Sequence, residues 1–265
     1  MIIDSHEHVM NPAALQVDKM EAAGVNKVIL FPTTPHPEKA KTYTEFKDEM
    51  GTLYKILAGE NTKEANRMRM EAGIEEVLQS IKQSPDRFYG FGSVPLGLTV
   101  DETSEWIETH IAANGLKGIG EFTPGSEEQI RELATVFQAL ENFPQFPIWV
   151  HTFDPVTAGG IEILKEHTKK HPKINVIYGH MGGNNWMSLL DFAKTVPNAY
   201  LDTSAVFSTL AARMAISELP ERCLYSSDCP YGEPELSRQL TEFVSPSKEV
   251  ARLVLGENIA KLLQL

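Results

Sequence analysis

Two histidines two residues apart, His6 and His8, close the apolar opening MIIDSHEH, and four further apolar runs end in a residue able to bind a cation. GLKGIGE ends at Glu121, PIWVH at His151, INVIYGH at His180 and CLYSSD at Asp228. Imidazole nitrogen and carboxylate oxygen suit zinc first, with manganese, iron or nickel as alternatives. Residues two apart on a strand face the same side, so His6 and His8 can share one ion. Taken singly, a His-x-His pair or a histidine closing a core strand reads more simply as a hydrogen-bonded interior residue. Carboxylates at such positions are costly unless paired or bound to a cation. The recurrence of one arrangement at five strand ends makes a metal site the better reading, with His6, His8, Glu121, His151, His180 and Asp228 as its ligands.

Strand ends converge in this way at the C-terminal mouth of a (β/α)8 barrel. Eight apolar runs qualify as strands: 2–8, 27–33, 88–94, 118–121, 148–151, 174–180, 199–203 and 223–228. Helical periodicity alternates with them near 100–113, 156–170, 185–195, 206–218 and 234–244, with a last helix starting at Ser247. Ser126 and Gln129 form a capping box, and Ile130, Leu133, Ala134, Phe137 and Leu140 then recur on one face. The fold class is therefore α/β, a single TIM barrel filling 265 residues, close to the ~250 of one barrel. Only the stretch between strands two and three is too long for one helix. Residues 36–70 are an expected insertion, read either as a mobile lid over the catalytic face or as a rim hairpin that shields the barrel or joins subunits.

A formal charge of −12, from 36 acidic and 24 basic residues, opposes long-range attraction to nucleic acid or to an anionic membrane. No apolar run approaches the ~18 residues of a membrane span. The first strand begins at Met1, which leaves no room for a signal segment, so a cytoplasmic protein is expected. Cys223 and Cys229, if both extended on one strand, lie roughly 20 Å apart at ~3.3 Å per residue. That exceeds the reach of a disulfide, so free thiols are expected. The partner these features leave is a small-molecule substrate, and a homo-oligomer stays open.

Substrate-binding candidates are Asn184, Asn185 and Trp186, which follow Gly182 and Gly183 after strand six, and Arg213, in the segment after strand seven. Arg213 can clasp a substrate carboxylate in bidentate fashion, or it sits on the exposed face of its helix. His110, His167 and His171 fall in helical segments and read as surface or packing residues, and His36 as a loop residue that could approach substrate. Asp4 has the strand parity of His6 and His8, which suits either a residue orienting a ligand or a polar barrel layer. The thiol of Cys229, beside Asp228, reads as a neighbour of the site and not as a nucleophile.

In order along the chain, DSHEH, HTF, GHMGG, SSDCPYG and GENIAKLL resemble the amidohydrolase superfamily, and within it the amidohydrolase-related branch. That resemblance implies a metal held by His6, His8 and His151, Asp228 as ligand or proton acceptor, and His180 as a second ligand or a catalytic group. GIGEF departs from the branch's decarboxylase-like pattern and is similar to the strand-four glutamate of TatD-type nucleases, which bridges two metals. One or two ions are therefore expected. The preferred function is hydrolysis of a small polar ester, lactone or amide by metal-activated water. Asp228 would accept and return the proton, and His180 would bind metal or stabilise oxyanion charge. Three alternatives stand beside it: non-hydrolytic decarboxylation of a small unsaturated acid, a TatD-like nuclease disfavoured by charge, and a non-catalytic metal-binding protein.

Overall fold

Eight short parallel strands succeed one another around a closed ring in the computed structural model, which describes residues 1–59, 62–206 and 208–265. They are β1 (Ile3–His8), β2 (Lys27–Phe31), β3 (Phe88–Gly90), β4 (Ile119–Phe122), β5 (Ile148–His151), β6 (Val176–Gly179), β7 (Ala199–Asp202) and β8 (Cys223–Leu224). Continuous ladders join β1 through β3 and β4 through β8. The two gaps are closed by backbone hydrogen bonds. Gly92 and Gly120 N–H donate across the β3–β4 seam, to Gly118 and Gly92 at 3.1 and 3.0 Å. Across the β8–β1 seam, Ser5 N–H donates to Tyr225 at 2.9 Å, Asp228 N–H to His6 at 2.8 Å and His8 N–H to Cys229 at 2.7 Å. The chain is thus a TIM barrel, as its alternating pattern predicts.

The outer layer comprises α1 (Ala13–Ala23), α2 (Tyr43–Leu57), α3 (Lys63–Gln83), α4 (Val100–Trp106), α5 (Glu127–Leu140), α6 (Ala158–Lys170), α7 (Trp186–Thr195), α8 (Thr209–Glu218) and α9 (Pro234–Val244). Two short helices, α10 (Lys248–Arg252) and α11 (Asn258–Leu263), finish the chain. Side chains alternate along the strands between two cores. Ile29, Phe31, Phe91, Trp149, Ile177 and Leu224 fill the barrel, and Ile259 and Leu263 of α11 pack among them. Val28, Leu30, Ile148, Val150 and Val176 point outward against the helices. Burying each large apolar side chain contributes about 1.5–3 kcal/mol, so the two cores hold the ring rigid while its C-terminal mouth stays free for polar groups.

Several local expectations change. Most strands end earlier than their apolar runs, because side chains and turns take over the backbone hydrogen bonds at the barrel mouth. The last helix is broken between α10 and α11, where Gly256 lies against the first strand; a Cβ there would meet the Met1 carbonyl at 2.5 Å. Ser126 does accept the Gln129 N–H at 3.3 Å, but the Gln129 side chain accepts from Gly125 at 2.7 Å and so caps one residue earlier than a capping box. Glu60 and Asn61, within the expected insertion, and Phe207, within the helix expected over 206–218, lie outside the described residues.

The parity argument for Asp4 also fails, for a specific reason. Between Asp4 and Glu7 the register slips by one residue against β2. A bulge of this kind reverses which face the next side chains occupy. Asp4 therefore turns away from His6. Its carboxylate accepts the His6 and Ser227 N–H groups at 3.2 and 3.0 Å and fastens β1 to the end of β8.

Candidate metal centre

A second bulge places the acidic residue on which the arrangement turns. Ile119 and Phe122 pair with Ile148 and Val150, so Gly120 and Glu121 together oppose the single residue Trp149. Simple alternation would send Glu121 outward with Ile119; the extra residue re-aims it into the barrel. The close backbone approach requires glycine at 120, where φ is +130° and a Cβ would meet the Trp149 carbonyl at 2.5 Å.

Glu121 then stands between two histidine pairs. Its Oε2 faces His6 Nε2 at 3.8 Å and His8 Nε2 at 4.0 Å, and its Oε1 faces His151 Nδ1 and His180 Nε2, each at 3.4 Å. Asp228 Oδ1 completes the first side, 3.3 Å from His8 Nε2 and 3.7 Å from His6 Nε2. All six residues expected from the strand-end pattern meet here. The floor is aromatic, with the His6 ring 4.6 Å from Phe31 and 5.0 Å from Trp149.

Three of the imidazoles are fixed through the nitrogen that points away from Glu121. His6 Nδ1 lies 3.1 Å from Asp202 Oδ2, His180 Nδ1 lies 2.9 Å from Ser204 Oγ, and His151 Nε2 donates to the Asp154 carbonyl at 3.0 Å. Each such contact leaves the opposite ring nitrogen with its lone pair toward the cluster, the usual way a protein orients a metal ligand. Asp202 is the hub. Beyond His6, its carboxylate accepts the His180 N–H at 3.2 Å, the Ser204 N–H at 2.7 Å and the Ser204 hydroxyl at 2.9 Å, so it steadies one imidazole of each pair. Sequence reasoning passed over it, although AYLD ends in an acid after an apolar run just as the other donor strands do.

The charge balance of the cluster calls for a cation. Burial would lower the His6 imidazolium, but the carboxylates of Glu121, Asp202 and Asp228 overcome it and push the group up to about 9. At His180 burial is likewise overcome, by Glu121, Asp228 and Asp202, and the group rises to about 10. Burial would raise Asp202; the His6 and His180 rings and the Ser204 N–H hold it at about 2. Glu121 and Asp228 are also held below the usual carboxylate range by the surrounding histidines, against burial. Carboxylates that favour imidazolium so strongly favour a divalent ion as well. The donors fit one, because His6 Nε2 and Glu121 Oε1 are buried with no hydrogen-bond partner, and His6, His8 and Glu121 on one side, and Glu121, His151 and His180 on the other, bring their donor atoms within 4.8 Å of one another.

Above the cluster opens a cavity of about 670 Å³, into which His8, Glu121, His151, His180 and Asp228 project. Its walls come largely from the long β2–β3 connection, through Met50, Leu53, Tyr54 and Leu57 of α2 and Asn66, Arg69 and Met70 of α3. Asn184, Asn185, Trp186 and Arg213 do not line it. Asn184 is exposed, Trp186 packs against the outer core, and Arg213 covers the Phe243 ring at 5.7 Å on the outside of the barrel. His36 stays at the base of the connection, 2.9 Å from Glu38 and 3.6 Å from Glu76. His110 stacks on Trp106, and His167 and His171 stack on Phe137. Cys223 and Cys229 are buried free thiols.

Replacing Asp202 by Asn should lower metal affinity about 10–100-fold, since the orienting acceptor of His6 loses its charge while the ligands remain. Metal titration of the purified variant checks this. Unchanged affinity would reduce Asp202 to a packing residue.

The family model described as Amidohydrolase matches residues 3–265. No curated protein matches the sequence. Among solved structures, 5-carboxyvanillate decarboxylase from Sphingomonas paucimobilis is similar with a TM-score of 0.71 and 16% identity, over 100% of this chain and 99% of that one. A dihydroxybenzoic acid decarboxylase from Polaromonas, with bound manganese, gives 0.63 and 16%, over 100% and 97%. The 4-oxalomesaconate hydratase of Rhodopseudomonas palustris gives 0.67 and 13%, over 100% and 96%. At these identities the likeness carries the fold; two different reactions on one scaffold show that the scaffold does not set the chemistry.

Proposed function

Since the chain belongs to the amidohydrolase family, whose model spans residues 3–265, we propose that it is a metal-dependent hydrolase of a small polar ester, lactone or amide. One observation carries this reading. Glu121 offers one carboxylate oxygen to His6 and His8 and the other to His151 and His180. A carboxylate so placed suits two ions side by side, an arrangement widespread in hydrolytic sites. His6, His8, Glu121 and Asp228 would hold one ion and Glu121, His151 and His180 the other, zinc being the first choice. Bound there, such ions supply activated water and polarise the scissile carbonyl.

The remaining work falls to the chain itself. The N–H of Asp228 is fixed to the His6 carbonyl at 2.8 Å, and its side chain reaches the cavity. Ionised and beside the nucleophile's position, Asp228 takes up the proton and delivers it to the leaving group. His180, held by Ser204, keeps an imidazole lone pair toward the cluster, which suits a metal ligand; steadying oxyanion charge instead would require its protonated form.

Decarboxylation of a small unsaturated acid is the second reading, supported by the activities named for two of the similar structures. Metal-reconstituted protein assayed against lactones, esters, amides and unsaturated acids separates the two. Acid release without CO2 is expected, and CO2 release with no hydrolysis of any panel member would overturn the hydrolytic reading.

A further inference from the structure

Arginines in this chain are ordinarily paired. Arg67, Arg87, Arg131, Arg238 and Arg252 each face a glutamate, and Arg222 donates to the Ala193 and Val196 carbonyls. Arg69, on the face of α3 that lines the cavity, is different. Among the described residues its Nε is buried without a partner, and its terminal nitrogens have only two long contacts, 3.5 Å to Thr34 Oγ1 and 3.5 Å to Asn66 Oδ1. Among the described residues no carboxylate lies within 4.0 Å of it, whereas Arg213 and Arg222, also without one, have an aromatic face and two carbonyls as partners. With its Nε shut off from water and no carboxylate beside it among the described residues, this partly buried guanidinium has hydrogen-bonding capacity that a bound anion would fill.

The surroundings narrow the anion. Met50, Leu53, Met70, Leu96, Phe122 and Phe153 line the same cavity, into which the donor cluster around Glu121 also projects. A guanidinium fork matches the plane of a carboxylate, and the apolar wall matches a hydrocarbon or aromatic body. We propose that Arg69, flanked by Thr34 and Asn66, is the anchor for a carboxylate that the substrate carries away from its reacting bond, so that the substrates are small acids with an apolar body. The proposal rests on the reading of the cluster as a metal-dependent active site, and it adds the class of substrate.

Direct binding tests it without relying on turnover. Calorimetry with metal-reconstituted protein compares isophthalate, which carries a second carboxylate, with its monoamide, 3-carbamoylbenzoate, and with the neutral diamide, isophthalamide. Wild type should bind isophthalate at least about thirtyfold more tightly than the monoamide. In Arg69→Met that preference should disappear, with metal content, melting temperature and isophthalamide binding unchanged, and Arg69→Lys should restore part of it. Equal preference in wild type and Arg69→Met would overturn the anchor, as would equal binding of all three probes by wild type. Equal weakening of all three in Arg69→Met would make the residue a support of the cavity wall. A wild type that binds as expected yet hydrolyses nothing would sink the hydrolytic reading and leave the anchor standing.

Discussion

Glu121→Ala is expected to lower bound metal from two ions per chain to one at most, and to reduce turnover by at least about 10²-fold. The first figure follows from geometry, since each oxygen of this one carboxylate faces a different histidine pair. The second follows from comparison, because removing a residue that only orients a ligand already costs about 10–100-fold. Glu121→Gln is the informative companion. It keeps one acceptor oxygen and the shape, so it should retain one ion and remain folded. Metal analysis by mass spectrometry after reconstitution reads both. A single ion in wild type, unchanged in Glu121→Ala, would refute the bridge and move the site toward mononuclear, decarboxylase-like chemistry.

For Asp228→Asn the expected result is a fall in kcat of about 10²–10⁴-fold with the substrate KM little changed, the range for a lost general base. The amide keeps the volume and leaves the backbone bond to His6 in place, so the barrel mouth should stay closed. Some metal should remain, because His6, His8 and Glu121 still converge. Turnover with a wild-type kcat would make Asp228 a structural residue.

The strand-end residues were legible because the signal repeats. Each donor closes a run of core residues, and a barrel must bring such ends together whatever its loops do. Details that depend on interruptions of the pattern were not. One-residue bulges in β1 and β4 send Asp4 away from the cluster and turn Glu121 into it, and nothing in the local composition fixes where a ladder slips, apart from Gly120. Asp202 is legible by the same rule, since it too closes an apolar run. Which arginine reaches the cavity is not legible in the sequence. Arg213 sits after a strand, as a substrate contact should, yet its helix points it outward, whereas Arg69 reaches the cavity because α3 in the long connection leans over the barrel mouth. That path depends on how the connection packs, which periodicity along one helix does not encode.

The seam between β8 and β1 runs through the donor cluster itself. His6 accepts from Asp228 across it, and Asp4 accepts from Ser227 beside it, so residues more than two hundred positions apart must meet before either the ring or the cluster is complete. Joining such distant segments carries an entropic cost that every open form of the ring escapes. A cation held only by the closed arrangement favours it by mass action, about 2.7 kcal/mol at a hundredfold excess over Kd. The cluster then acts as a latch on the barrel. Stripping the protein with a chelator should loosen β1 and β8 first, seen as faster amide exchange at Ser5, His8 and Asp228 while the amides of β5 and β6 keep their protection.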